Sequence, residues 1–323
     1  MIFKYLLYFK KWYNKNVNQN RRECSFVEQK NNWKAWLYLL PALLFLGFFM
    51  LYPLVDVVVY SFEENYNFVS QKFTGIGFEN YFYVLSDGEF VKAIVNTFLL
   101  VIITVPLSTI IALLISAGLN AIKPLRKVFQ TIFFLPYVTN ALAVGLVFMI
   151  LFDITPYSTG FVNNVLGIFG INAVDWIEGP YWAKMFVLCF YIIWNVMPFK
   201  ILVLVGALQS VNKTHYQAAA IDATPKWRVF TRITVPLISP MISYLVITGF
   251  IGAFKEYTNA VALFGTDLRD AGMNTIVGYV YDTLYSATGG YPSYASAAAI
   301  ILLLIVMTIT AINLLVSEKH VHY

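Results

Sequence analysis

Charge is what this chain has least of. Asp, Glu, Lys and Arg make up 12% of its 323 residues, about half the share found in soluble globular domains. Together with 59% apolar residues and a mean hydropathy of +0.68, this scarcity excludes a soluble domain. Cysteine is nearly absent. Cys24 falls in a polar tail and Cys189 in an apolar run, so no disulfide is expected, and no metal site either, because neither has His or Cys neighbours to complete one. No Gly-x-x-x-x-Gly-Lys-Ser/Thr loop occurs, so the chain is not an ATP-hydrolysing component. His-Glu-x-x-His and Gly-x-Ser-x-Gly are missing too, which makes an intramembrane enzyme the weakest functional class. No removable signal peptide is expected. Lys4, Lys10 and Lys11 alternate with aromatics, and a polar stretch follows instead of a small-residue cleavage site.

Long apolar runs are what the chain has in place of charge. Six recur, at about 36–62, 91–119, 131–152, 184–208, 236–264 and 294–316, each near or above the ~20 residues that cross a bilayer as a helix. The expected fold is an all-α, multi-pass membrane protein with six transmembrane helices. Pro106, Pro136, Pro198, Pro236 and Pro240 lie in or at the ends of these runs. A carbonyl freed by proline inside lipid needs a neighbouring helix or water, so the prolines point to a bundle.

The basic residues sort by connection. Lys4, Lys10, Lys11, Lys15, Arg21, Arg22, Lys30 and Lys34 precede the first run. Lys123, Arg126 and Lys127 follow the second, and Lys213, Lys226, Arg228 and Arg232 follow the fourth. The alternate connections are acidic: Glu63, Glu64, Glu79, Asp87 and Glu89, then Asp153, Asp175 and Glu178, then Asp267, Asp270 and Asp282. Positive connections stay cytoplasmic, which puts both termini inside. The same sorting explains the net charge of +5 without nucleic acid. Residues 1–34 then form a cytoplasmic tail, 35–316 the permeation domain and 317–323 a second tail. The first thirteen residues fit either an interfacial amphipathic helix or a disordered basic arm.

The stretch THYQAAAIDATPKWRVFTRITVPLISP, residues 214–240, lies between the fourth and fifth runs. Thr214 and Gln217 have capping-box spacing. Tyr216, Ala219, Ala220 and Ala223 recur at helical spacing, with Ala218 and Asp222 among them. Pro225 ends this helix and opens the next, with Thr224 as its cap. Trp227 and Phe230 give the second helix an apolar edge. The result is a cytoplasmic helix–turn–helix over 214–232, joined to the fifth run through Pro236. Its smooth alanine face suits either close approach by a partner or a hairpin lying on the membrane.

This segment resembles the "EAA" loop of ABC importer permeases: Glu-Ala-Ala, a short gap, Asp-Gly-Ala, then an aromatic, an Ile and two prolines. Ala218, Ala219, Asp222, Trp227, Phe230, Ile233, Pro236 and Pro240 carry the likeness. MLYPLVDVVVYSF, FTGIGFENYFYVLSDGEFVKAIVNTF and IFFLPYVTNALAVGLVFMILFD are similar to the carbohydrate branch of that family, the maltose and multiple-sugar permeases. The resemblance spans about residues 36–316. It implies a type I importer permease fold in a bacterial cytoplasmic membrane, with no cofactor in this chain. It also implies a second permease, an extracytoplasmic solute-binding protein and two ATPase subunits that hold ATP and Mg and grip the hairpin. Three departures stand out. Gln217 replaces the usual Glu, removing a charged pair with an ATPase. Ala223 replaces Gly, which argues against a left-handed backbone there. GTDLRDAG, residues 265–272, replaces a frequent Gly-Gly-Pro.

Ionisable groups within the apolar runs are costly, and they usually face a bundle interior or a wet cavity. Asp56, Lys200, Lys255 and Glu256 are the candidates, with Trp194, Asn195, Tyr257 and Asn259 close in sequence. Two roles fit: a translocation path offering sugar donors, acceptors and stacking rings, or structural pairing such as Asp56 with Lys255. Trp176, Tyr157, Asn163, Asn164 and Tyr181 in the outer connections fit either docking of a binding protein or an interfacial aromatic belt. An ion-coupled secondary transporter is the rival class. It would show duplicated halves, and none are evident between 36–152 and 184–316. An importer for a non-sugar solute is the alternative within the family.

Overall fold

The structure is a computed structural model, and it describes residues 32–66, 68, 71–122, 128, 131–133, 135–155, 158–285 and 291–320. Most of the tail, together with Lys123, Arg126, Lys127 and Tyr157, lies outside the described residues. The chain divides into two units, 1–57 and 58–323.

In the first unit, α1 (Asn32–Leu46) passes through a π-helical turn at Gly47–Leu51 into α2 (Tyr52–Phe62), which crosses the boundary at residue 57. The apolar stretch Trp33–Phe62 is long enough to span a membrane.

The second unit is mainly helical, with one short hairpin among the described residues, β1 (Glu63–Glu64) paired antiparallel with β2 (Gly75–Ile76). A short helix α3 (Glu79–Ser86) leads into α4 (Gly88–Ala121), whose start is capped by Asp87 accepting from the Glu89 amide at 2.9 Å. Then come α5 (Ala141–Phe152), capped by Asn140, α6 (Gly160–Ile168) and α7 (Tyr181–Ser210). The hairpin helices are α8 (Lys213–Ile221) and α9 (Lys226–Val229). After a π-helical turn at Phe230–Thr234 come α10 (Val235–Leu237) and α11 (Ser239–Phe254). The chain closes with α12 (Thr258–Phe264), α13 (Ile276–Leu284) and α14 (Pro292–His320).

Four helices among the described residues are long and apolar enough to cross a membrane, or up to six if each bent pair is one span. The bent pairs correct the simple apolar runs. The third run breaks between Thr131–Val138 and Ala141–Phe152 with a bend of 102°. The fifth run does not continue to residue 264. Lys226–Leu237 and Ser239–Phe254 meet at 67°; the helix stops at Phe254, and α12 folds back against α5. Gly145 on α5 makes that return feasible, since a methyl group there would lie 2.2 Å from Ala262 Cβ.

The core follows the pairing of α4 with α7, which are buried along one another. Leu188, Tyr191 and Leu204 of α7 form this core with Leu245, Leu263 and Met273 packed on them, all essentially inaccessible. Pro106 and Pro198 lie inside these two helices. Each removes an amide donor and leaves a carbonyl four residues earlier without its helical partner.

Candidate translocation cavity and coupling hairpin

A cavity of about 270 Å³ opens between α4, α7 and α11. Its polar wall is built by Thr104, Ser108, Asn195, Lys200, Thr248 and Glu256. Tyr137 and Phe199 supply rings 5.7 Å apart. The fold thus brings Asn195 and Lys200 of α7 together with Glu256, from the turn between α11 and α12. Asn259 lies just behind, donating to Glu256 through both backbone and side chain at 2.9 Å, while Asn195 donates to its Oδ1 at 3.3 Å. Trp194, Lys255 and Tyr257 do not line the cavity. Trp194 packs on Phe148 at 5.2 Å, Lys255 is exposed, and Tyr257 stacks on Tyr281 at 5.0 Å. Thr104, Ser108 and Gly249 join the wall without any sequence signal beyond small size, because α4 and α11 each read as uniformly apolar. The ion pairs recorded among the described residues are Glu89 with Lys92 and with Arg269.

The hairpin departs from its expected local chemistry in three ways. Asn212 caps α8, accepting from the Thr214 amide at 3.0 Å. The helix starts one residue before Thr214, so the Thr214–Gln217 box has no role and Gln217 stays exposed. Pro225 stands one position before the first helical residue, with ψ 143°, displacing Thr224 as the cap of α9. Ala223 adopts a left-handed φ of 49°, contrary to the expectation from its side chain. The reason is the helix ending. The Thr224 amide reaches back to Ala219 O at 3.0 Å and the Ala223 amide to Ala220 O at 3.2 Å. This double bond pattern closes a helix only with a left-handed residue where Ala223 sits.

Exposure separates the faces of the hairpin. Ala219 is 5% exposed and turned inward, whereas Ala218 and Ala220 face out with Ile221 at 85% and Trp227 at 71%. Tyr216 and Phe230 are half-buried, and the Tyr216 hydroxyl lies 3.2 Å from Thr234 Oγ1. Asp222 is exposed at the turn, and Pro236 opens α10.

On the acidic side, the connection 265–275 is strapped inward. Asn96 of α4 donates to Gly272 O and Asn274 O at 3.1 and 2.8 Å, and Lys184 donates to Ala271 O at 2.7 Å. Leu268 and Met273 are fully buried. Trp176 and Asn163 are also internal: the indole donates to Asn163 Oδ1 at 3.0 Å, and Asn163 donates to Val174 O. Both are therefore unsuited to docking. Tyr181 donates to Asn96 at 2.8 Å, and Asn164 accepts from Thr159. A second cavity of about 340 Å³ sits here among Asp87, Glu89, Arg269, Asp282 and several tyrosines. Burial holds the Asp282 carboxyl above the usual carboxylate range, an effect that Asn274 partly offsets. Burial, reinforced by Asp87, likewise raises the Tyr279 phenol.

A family model described as "Binding-protein-dependent transport system inner membrane component" matches residues 74–320. The chain belongs to this family. Like the family's other members, this permease is a multi-pass membrane protein, and its expected kinship with importer permeases holds. It is similar to the lactose transport system permease protein LacF of Rhizobium radiobacter, at 30% identity over 283 residues, 85% of this chain and 91% of that protein. It is also similar to the arabinooligosaccharides transport system permease protein AraP of Bacillus subtilis (strain 168), at 28% over 292 residues, covering 88% and 89%. Among solved structures, a bacterial ABC transporter involved in import of the acidic polysaccharide alginate gives a TM-score of 0.77 at 24% identity. The match covers 91% of this chain and 98% of that one. This last likeness concerns the fold alone.

Proposed function

We propose that this permease imports a sugar or oligosaccharide across a bacterial cytoplasmic membrane, driven by ATP hydrolysed on partner subunits. The observation that carries the proposal is the exposed apolar face of the hairpin, Ala220, Ile221 and Trp227, on a chain whose relatives are named as sugar permeases. Six spans with both termini cytoplasmic put that face inside the cell, where an ATPase can seat it. A second permease completes the path, and a solute-binding protein delivers cargo to the acidic side. Coupling requires that the nucleotide state of the ATPases favour one of two arrangements of the bundle over the other. Because α9 runs through α10 into α11 with one bend, displacement of the hairpin reaches the cavity wall directly. Asn195 and Glu256 supply hydroxyl-binding donors and acceptors there, with Asn259 holding them from behind, and Lys200 stands in the wall.

Two measurements test this. Purification through a tag on this chain should recover ATPase subunits from the wild type and lose them with Ile221→Asp, with membrane insertion unchanged. Uptake of radiolabelled lactose, arabino-oligosaccharides and amino acids by producing cells tests the cargo class. Transport of the amino acids alone would overturn the sugar assignment, and ATP-independent uptake would overturn the importer.

A further inference from the structure

Lys200 is 4% exposed, on α7, and the cavity wall is its immediate surrounding. Its amine donates to three acceptors, all on α4: Ser108 Oγ at 2.7 Å, Thr109 Oγ1 at 2.8 Å and Val105 O at 3.4 Å. The two hydroxyls are already committed as donors. Ser108 gives its proton to Thr104 O, and Thr109 gives its own to Val105 O. Each can therefore only accept from the lysine. An ammonium has three donors and no acceptor, and this arrangement satisfies all three while leaving none for a solute.

The placement adds to the count. The acceptors flank Pro106, with the Val105 carbonyl just before it and the two hydroxyls just after, and Lys200 lies two residues after Pro198, so both helices are weakened at the level where the amine joins them. Ser116 Oγ donates across the same seam to Ile201 O at 3.2 Å. Gly249 lets α11 close over the joint, since a methyl group there would come within 3.4 Å of Lys200 Nζ. Beyond Ser210, α7 continues through Val211 and Asn212 into hairpin helix α8. Inside a low-dielectric seam such charge-assisted bonds are strong and costly to break.

We infer that Lys200 is a positioning residue that locks α7 to α4, so that the two helices move as one body when the hairpin is displaced. It does not contact cargo. The inference rests on the importer reading. The test uses the complete complex carrying Cys24→Ser and Cys189→Ser, with spin labels at Leu114→Cys on α4 and Leu202→Cys on α7, both exposed. Electron-paramagnetic distances are measured without nucleotide and after trapping with ATP and vanadate. With Lys200 intact, one narrow distance should persist in both states. With Lys200→Met, the distribution should broaden and shift on trapping. Ser108→Ala with Thr109→Val, which keeps the lysine and removes two acceptors, should do the same. A distance that already shifts with Lys200 intact overturns the inference, as does one that stays narrow in both variants. If Lys200→Met fails to assemble, the Ser108/Thr109 pair alone decides. If no ATPase accompanies the unsubstituted chain, the importer reading fails. The lock is then judged from the width of the nucleotide-free distribution.

Discussion

Two connections of this permease treat their side chains in opposite ways. The acidic connection 265–275 turns Leu268 and Met273 inward and hands its carbonyls to Asn96 and Lys184. The basic hairpin is closed at its turn but leaves Ile221 and Trp227 in the open. A connection that buries its apolar groups and satisfies its backbone is complete by itself. One that is rigid yet exposes large apolar groups is shaped for something else to cover. The difference separates a self-contained strap from a face that, in the proposed function, an ATPase covers.

The contrast can be broken most sharply at the hairpin. Ile221→Asp combined with Trp227→Asp is expected to abolish recovery of ATPase subunits, while thermal unfolding of the isolated chain shifts by no more than about 0.5 kcal/mol. The same kind of change in the strap should do the reverse. Leu268→Ala is expected to cost about 2–5 kcal/mol in detergent unfolding, as for other fully buried leucines, with ATPase recovery retained. Ala223→Gly sharpens the comparison from the other side. Removing Cβ from a left-handed residue should stabilise the hairpin by about 1 kcal/mol, seen as slower amide exchange across α8. The smallest effect concerns Asp282. Because burial raises its pKa in the fold, its contribution to stability is fully present below the open-chain value of ~3.9. It is lost as pH rises through the folded value. Asp282→Asn should flatten that slope in unfolding measured across mildly acidic pH.

Much of this architecture was legible beforehand, and the reasons differ by element. The apolar runs around α4, α7 and α14 are set by the length of hydrocarbon to be crossed, so composition alone marks them. The hairpin was visible because alanine spacing and two prolines punctuate a polar stretch. Its details were not: Asn212 took the cap from Thr214, and Ala223 accepted a strained backbone because the returning amide bonds outweigh its Cβ. The cavity was half visible. Lys200, Asn195 and Glu256 stand out as polar groups in apolar runs, but Ser108 and Thr109 look like ordinary small residues until α7 is laid against α4. Trp176 and Asn163 show the converse, since their surface-like composition conceals a buried pair.

Sequence by itself determined that this chain crosses a membrane several times and carries a stiff turn between its fourth and fifth apolar runs. Hydrophobic length and helix punctuation are local properties, written residue by residue. Only the tertiary structure decided where α11 stops, which polar groups share a cavity and which lysine holds two helices together. Those outcomes depend on which faces meet, and faces meet through contacts between residues some ninety positions apart, such as Lys200 and Ser108.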